Sequence, residues 1–166
     1  LVIFGLLSSN EHDWQLKVAF LENVLPIAKL VGALWLQSLI YPTMRAALFD
    51  KEEFVVHATL CAFADLCCAH FFDKDTLVQL ANTVAPMLLH PNRYIRYTCV
   101  RLINNIANRM SRPDRFGSLL RTLSPHLVSS IYDFSERTLL DSIRAPLKRT
   151  TFEKALSISC QCLLSE

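Results

Sequence analysis

Three glycines in 166 residues, Gly5, Gly32 and Gly117, leave no room for a glycine-rich phosphate loop or a series of glycine-dependent turns. Charge is sparse as well. Only 19% of residues are Asp, Glu, Lys or Arg against 52% hydrophobic ones, and this excludes a disordered, solvated tail. Long apolar runs are also missing: Leu1 to Leu7 is short, and Val24 to Leu36 is interrupted by Pro26, Lys29 and Gly32. Neither reaches the ~18 uninterrupted residues of a membrane-spanning helix. The six cysteines have no C-x-x-C spacing and sit inside apolar patterns, so they read as free, buried thiols in a reducing compartment. A G-x-S-x-G string is absent too.

What is present is length enough for one domain with a real core, and a polarity of charge. Residues 1–92 carry five Lys/Arg against nine Asp/Glu, whereas 93–166 carry twelve against six. Different partners at the two ends are the implication. The chain starts at Leu1, in mid-pattern, which we read as a segment of a larger protein, 1–166 being one solenoid piece of it.

Internal repetition organises the sequence. Trp14, Phe54, Tyr94 and Phe134 are 40 residues apart, and each opens an apolar stretch after a polar break. Shortly after each comes Lys17, His57, Arg96 or Arg137, expected to form a structural ladder between repeats. Within the stretch opening at Asn92, Ile95, Cys99, Leu102 and Ile106 share one helical face, and Val100, Ile103 and Ala107 form a second arc. A helix apolar on two faces is sandwiched between others. Helices are therefore expected near 1–8, 14–31, 34–49, 52–72, 75–90, 92–110, 113–129, 135–144 and 151–164. Asp50 with Glu53, and Ser111 with Asp114, have capping-box spacing. Pro42, Pro86 and Pro125 recur in the first helix of successive pairs, where proline bends the helix. The expected fold is all-α, a HEAT-like α-solenoid of about three and a half to four antiparallel helix pairs.

Candidate chemistry is thin. His57, Cys61, Asp65 and Cys68 share one helix face, but a tetrahedral metal site needs ligands from at least two elements, so no metal or other cofactor is expected. No catalytic residue is assigned, and enzyme activity in this segment is not expected. The stretch "HPNRYIRY" raises nucleic-acid binding, which would need arginines on one exposed stripe with free aromatics; Arg96 instead lies between two apolar arcs, its head aimed at the turn or at the adjacent repeat. Arg109, Arg112 and Arg115, in "NRMSRPDRFGSLLR", are the candidate contact for an acidic partner or an anionic surface.

The strings "NEHDWQLKVAFLENVLPIAKLVG", "DKEEFVVHATLCAFADLC" and "APMLLHPNRYIRYTCVRLINNIANRMS", in that order and spacing, resemble the central HEAT-repeat region of the regulatory subunit of the class III phosphatidylinositol 3-kinase, over roughly Leu6 to Ala155. The resemblance implies a non-catalytic scaffold between a kinase-like domain and a WD-repeat propeller. It also implies assembly with the lipid-kinase catalytic subunit and a Beclin-type subunit. Autophagy and endosomal or vacuolar sorting are the implied processes, with a cytoplasmic location and indirect attachment to endosomal and autophagic membranes. A HEAT adaptor of another kind, in transport or cytoskeletal regulation, stays open on the residues alone.

Overall fold

The computed structural model describes residues 13–155, and these are all-α, of the solenoid class, with no strand beyond one isolated bridge. The expected helices at 1–8 and beyond 155 lie outside the described residues. The chain divides at Phe72/Asp73 into two compact units.

In the first unit, α1 (Trp14–Glu22) and α2 (Val24–Val31) replace the single helix expected over 14–31, with a turn at Asn23 between them. Gly32 then takes φ +84°, a conformation that only glycine adopts without strain, and turns the chain. Helix α3 runs from Ala33–Trp35 through a π turn at Leu36–Ile40 to Tyr41–Ala47. Pro42 has no N–H for the carbonyl one turn back, and the helix widens just before it. Helix α4 (Glu53–Cys68) packs against α1, α2 and α3. It ends four residues short of the expected 72, because His70 enters the left-handed region at φ 66° and Phe71 N–H turns back to the Leu66 carbonyl. The expected Asp50–Glu53 cap is not formed: Asp50 Oδ1 accepts from Glu52 N–H, and α4 has no side-chain cap. Its core is aromatic, with Tyr41, Phe63 and Phe72 at mutual centroid distances of 5.8, 5.7 and 6.1 Å.

The second unit begins with α5 (Lys74–Val84), capped by Asp73 accepting from Thr76 N–H. A side-chain hydrogen bond with Thr76, and then this backbone one, hold the Asp73 carboxyl below its ordinary range. At Pro86 the helix tightens into a 3-10 segment, Ala85–Leu89, packed under α6 (Arg93–Arg109). Helix α7 comprises Arg112–Asp114, a π turn at Arg115–Leu119, Leu120–Leu123 and a 3-10 end at Ser124–His126. The Ser111–Asp114 cap is present, Ser111 Oγ accepting from Asp114 N–H at 3.4 Å and donating to its carboxylate at 2.6 Å. Helix α8 (Glu136–Ser142) packs on α6.

Two tertiary features shorten the expected helices. Beyond Pro125 the backbone extends, and Leu127 bridges antiparallel to Ile143, with Val128 N–H bonded to Ser142 O and Arg144 N–H to His126 O. This clasp ends α7 at 126 rather than 129 and α8 at 142 rather than 144. The chain then runs back to the end of α5, Leu147 N–H reaching Leu89 O, and Phe152 packs edge-on to His90 at 4.6 Å from the helical stretch 149–155. In each unit a buried threonine is satisfied locally: the Thr59 and Thr98 hydroxyls donate to the carbonyls four residues back.

Two outcomes follow from this packing. Phe63 is fully buried, so Phe63→Ala should lower unfolding free energy by about 3–5 kcal/mol, measured by urea titration; an effect under ~1 kcal/mol would contradict the aromatic core. His126 sits half-buried in the clasp, and burial, then the nearby Arg144 charge, pushes its imidazole below the ordinary 6.5. Its protonated form is therefore weaker in the folded than in the unfolded state. Stability is complete above pH 6.5 and falls as pH drops below it. In the His126→Gln variant that acid slope should flatten, read from urea midpoints across the pH series.

Candidate functional site

The turn between α5 and α6 holds the richest polar geometry. His90 is 8% exposed, and its Nδ1 accepts from Asn92 N–H at 3.0 Å. Asn92 in turn caps α6, its Oδ1 accepting from Tyr94 N–H. Arg96 closes the turn by donating through Nη1 to His90 O at 2.7 Å and Pro91 O at 2.8 Å. The guanidinium is thus spent on its own turn, where it satisfies two carbonyls that no helix covers. On the same helix Cys99 Sγ lies 3.3 Å from Val84 O, and complete burial pushes its thiol far above the ordinary range, leaving it inert as a nucleophile.

The other ladder positions differ. Lys17 Nζ meets Asp50 Oδ2 at 2.7 Å, joining the start of α1 to the turn before α4, while Trp14 stacks on Phe54 at 5.3 Å beside it. His57 is half-buried, with Cys61 Sγ 4.0 Å from both ring nitrogens. Arg137 lies exposed on α8. So Lys17 reaches a carboxylate, Arg96 reaches carbonyls, and His57 faces a thiol. Among the described residues no group of three His, Cys, Asp or Glu side chains converges as a metal site would require.

The basic turn after α6 is not uniformly basic. Arg115 Nε donates to Met110 O at 3.0 Å, tying α7 to the end of α6. Asp114 pairs with Lys74 at 2.7 Å, and that hydrogen bond raises the Lys74 pKa and lowers that of Asp114. Arg112 is exposed and Arg109 half-buried. Of the three arginines, Arg112 alone is fully turned to solvent. The sequence pattern did not disclose Asp50 as the partner of Lys17, nor Lys74 opposite Asp114, because each pair joins residues more than thirty positions apart.

The family described as PIK3R4-like, middle domain, matches residues 6–156. A Dictyostelium discoideum protein named "Probable serine/threonine-protein kinase vps15" is 38% identical over 155 residues, covering 87% of this chain and 8% of that protein. A Candida glabrata protein named as a non-specific serine/threonine protein kinase is 27% identical, over 86% of this chain and 10% of its own length. The Schizosaccharomyces pombe serine/threonine-protein kinase vps15 is 30% identical, over 64% of this chain and 6% of its own length. The chain thus spans a tenth or less of the curated relatives it matches, within a domain distinguished as the middle one.

Because Arg96 satisfies two carbonyls at once, Arg96→Met should cost about 1.5–3 kcal/mol by urea titration, and Arg96→Lys less, since an ammonium keeps the charge. Equal losses in both variants would show that the retained charge contributes nothing and that the paired guanidinium geometry carries the contribution.

Proposed function

The chain belongs to the PIK3R4-like family as its middle domain, and from that membership we propose that it is a non-catalytic scaffold within the class III phosphatidylinositol 3-kinase complex. The observation that carries this reading is the match over 6–156 to a domain set apart from any kinase domain, while the relatives are named as kinases over lengths far beyond it. Stacked helices are suited to such a task, since they hold distant elements at fixed spacing and offer side surfaces for docking.

In this reading the segment spaces the kinase-like and WD-repeat ends of its parent and helps hold the lipid-kinase catalytic subunit and a Beclin-type subunit together. Autophagy and endosomal or vacuolar sorting are the processes served, in the cytoplasm and on membranes reached through the complex. No helix among the described residues is long and apolar enough to cross a membrane, which is compatible with attachment of that indirect kind. Of the four ladder positions, Lys17 and Arg96 serve as structural contacts, Lys17 through Asp50 and Arg96 through the carbonyls of its own turn. Arg109, Arg112 and Arg115 form a candidate contact edge for an acidic partner or anionic surface, with Arg112 the most available of the three.

Co-expression of the full-length chain with the class III lipid-kinase catalytic subunit should give a single species on size exclusion. Replacing residues 13–155 by a flexible linker should abolish it. Unchanged co-elution after that replacement would sink the scaffold role. With the complex in hand, Arg112→Glu should weaken assembly or liposome recruitment by about tenfold if the edge is used.

A further inference from the structure

Helices α2 and α3 meet at a corner that the core leaves uncovered. Gly32 turns the chain there, and the sequence around it reads KLVGALW. Leu30 is 88% exposed, Leu34 84%, Trp35 61% and Val31 39%. Val24 and Ala28 on α2, and Leu36 and Ile40 on α3, are buried. Each helix therefore has an inner side that packs on the core and an outer side, reaching the corner, that does not. Single apolar residues on a surface are ordinary, but four around one glycine form a patch of the kind that marks a contact.

Shape, size and composition choose what covers it. A groove would shield its own lining, so leucines as exposed as Leu30 and Leu34 stand on a projection, and a surface that yields around them is what covers them. Four apolar side chains also fall far short of the roughly 20–30 residues a side of a stable protein interface. Leucine is under-represented among the anchors of such interfaces and lysine is depleted in them. Leucine and tryptophan beside lysine are instead the side chains that lie at the boundary between lipid headgroups and acyl chains. Trp35 brings an apolar ring with one N–H to that boundary, and Lys29, exposed on the last turn of α2, reaches the phosphates on an apolar stem.

We propose that the Leu30–Leu34–Trp35 corner is a membrane-contacting tip, whose side chains enter the outer layer of a phospholipid bilayer without spanning it. The charges around the corner permit this approach. From Asn23 to Phe49 the sequence holds two cations, Lys29 and Arg45, and no carboxylate. Glu22 precedes α2, and Asp50 is paired with Lys17. Helix α4 packs on α2 and α3, and its carboxylates, Glu53 and Asp65, are half-buried and already have partners. An anionic headgroup thus meets Lys29 at the corner while the leucines leave water, so apolar burial supplies most of the attraction and the lysine adds a smaller electrostatic part.

The inference goes beyond the scaffold reading and does not rest on it, since it gives the segment a direct contact of its own. Its test uses the 166-residue chain with vesicles of phosphatidylcholine and phosphatidylserine in equal parts, and with vesicles of phosphatidylcholine alone. The chain has two tryptophans; Trp14→Phe keeps an aromatic ring against Phe54 and leaves Trp35 as the single reporter. Mixed vesicles should shift its emission to the blue, and brominated lipid should quench it. Leu30→Ser combined with Leu34→Ser should weaken vesicle binding about tenfold or more, and Lys29→Gln about fivefold on the mixed vesicles alone. Urea midpoints equal to the parent's show the fold intact; should the double variant shift its midpoint, Leu34→Ser takes its place. Trp35 emission unmoved by vesicles, or vesicle binding unmoved by the leucine variants, would overturn the proposal. So would self-association on size exclusion that the leucine variants abolish while vesicles leave Trp35 unmoved, which would assign the corner to a second copy of the chain.

Discussion

Helices α4 and α6 are apolar on more than one side, and a helix of that kind is stable only when it is covered on both. Val55, Leu60, Phe63 and Leu66 on α4, and Ile95, Val100, Leu102 and Ile106 on α6, are 0–1% exposed. Helices α1, α2 and α3 pack on α4, and α5 and α8 pack on α6. Pro42, Pro86 and Pro125 interrupt regular hydrogen bonding, and the adjoining wide or tight turns let each helix follow the curved surface of its partner.

Between the helices, polar side chains do the registering. Asp73, Asn92, Ser111 and Ser135 each cap a following helix, and each cap satisfies backbone groups that have no helical partner. Arg96 and Arg115 treat the carbonyl side of the same problem, one at the turn before α6 and one at its end. Chemistry-bearing residue types in this chain are thereby largely absorbed into architecture. That absorption supports the proposed scaffold: Arg96 and Arg115 donate to backbone carbonyls, while Arg112 is exposed.

The helical class was legible because helix formation is local. A period of 3.6 residues, an N-cap serine three residues before an acid, and a proline in a first turn are all visible in a window of a dozen positions, and Ser111, Asp114 and Pro113 stand as the spacing requires. The reading missed the break at Asn23 and expected an Asp50–Glu53 cap that does not form; its other failures lie at helix ends. Nothing in the sequence around Leu127 or Ile143 announces a two-residue bridge, since both continue the helical apolar pattern, and the bridge forms only because α7 and α8 bring them together. The same holds for α4, whose apolar pattern continues to Phe72 although the helix stops at Cys68; Phe72 is buried from a loop, against Tyr41 and Phe63.

The sequence by itself determined that this chain is helical and that it resembles one family; these rest on local periodicity and on the strings that carry the resemblance. Only the tertiary structure decided which carbonyls Arg96 satisfies, that Lys17 meets Asp50, that Phe152 returns to His90, and which tyrosines stay in solvent. The physical reason is distance along the chain. A side chain's hydrophobicity and charge are its own, but its partner thirty or sixty residues away is chosen by the packing of every helix between them.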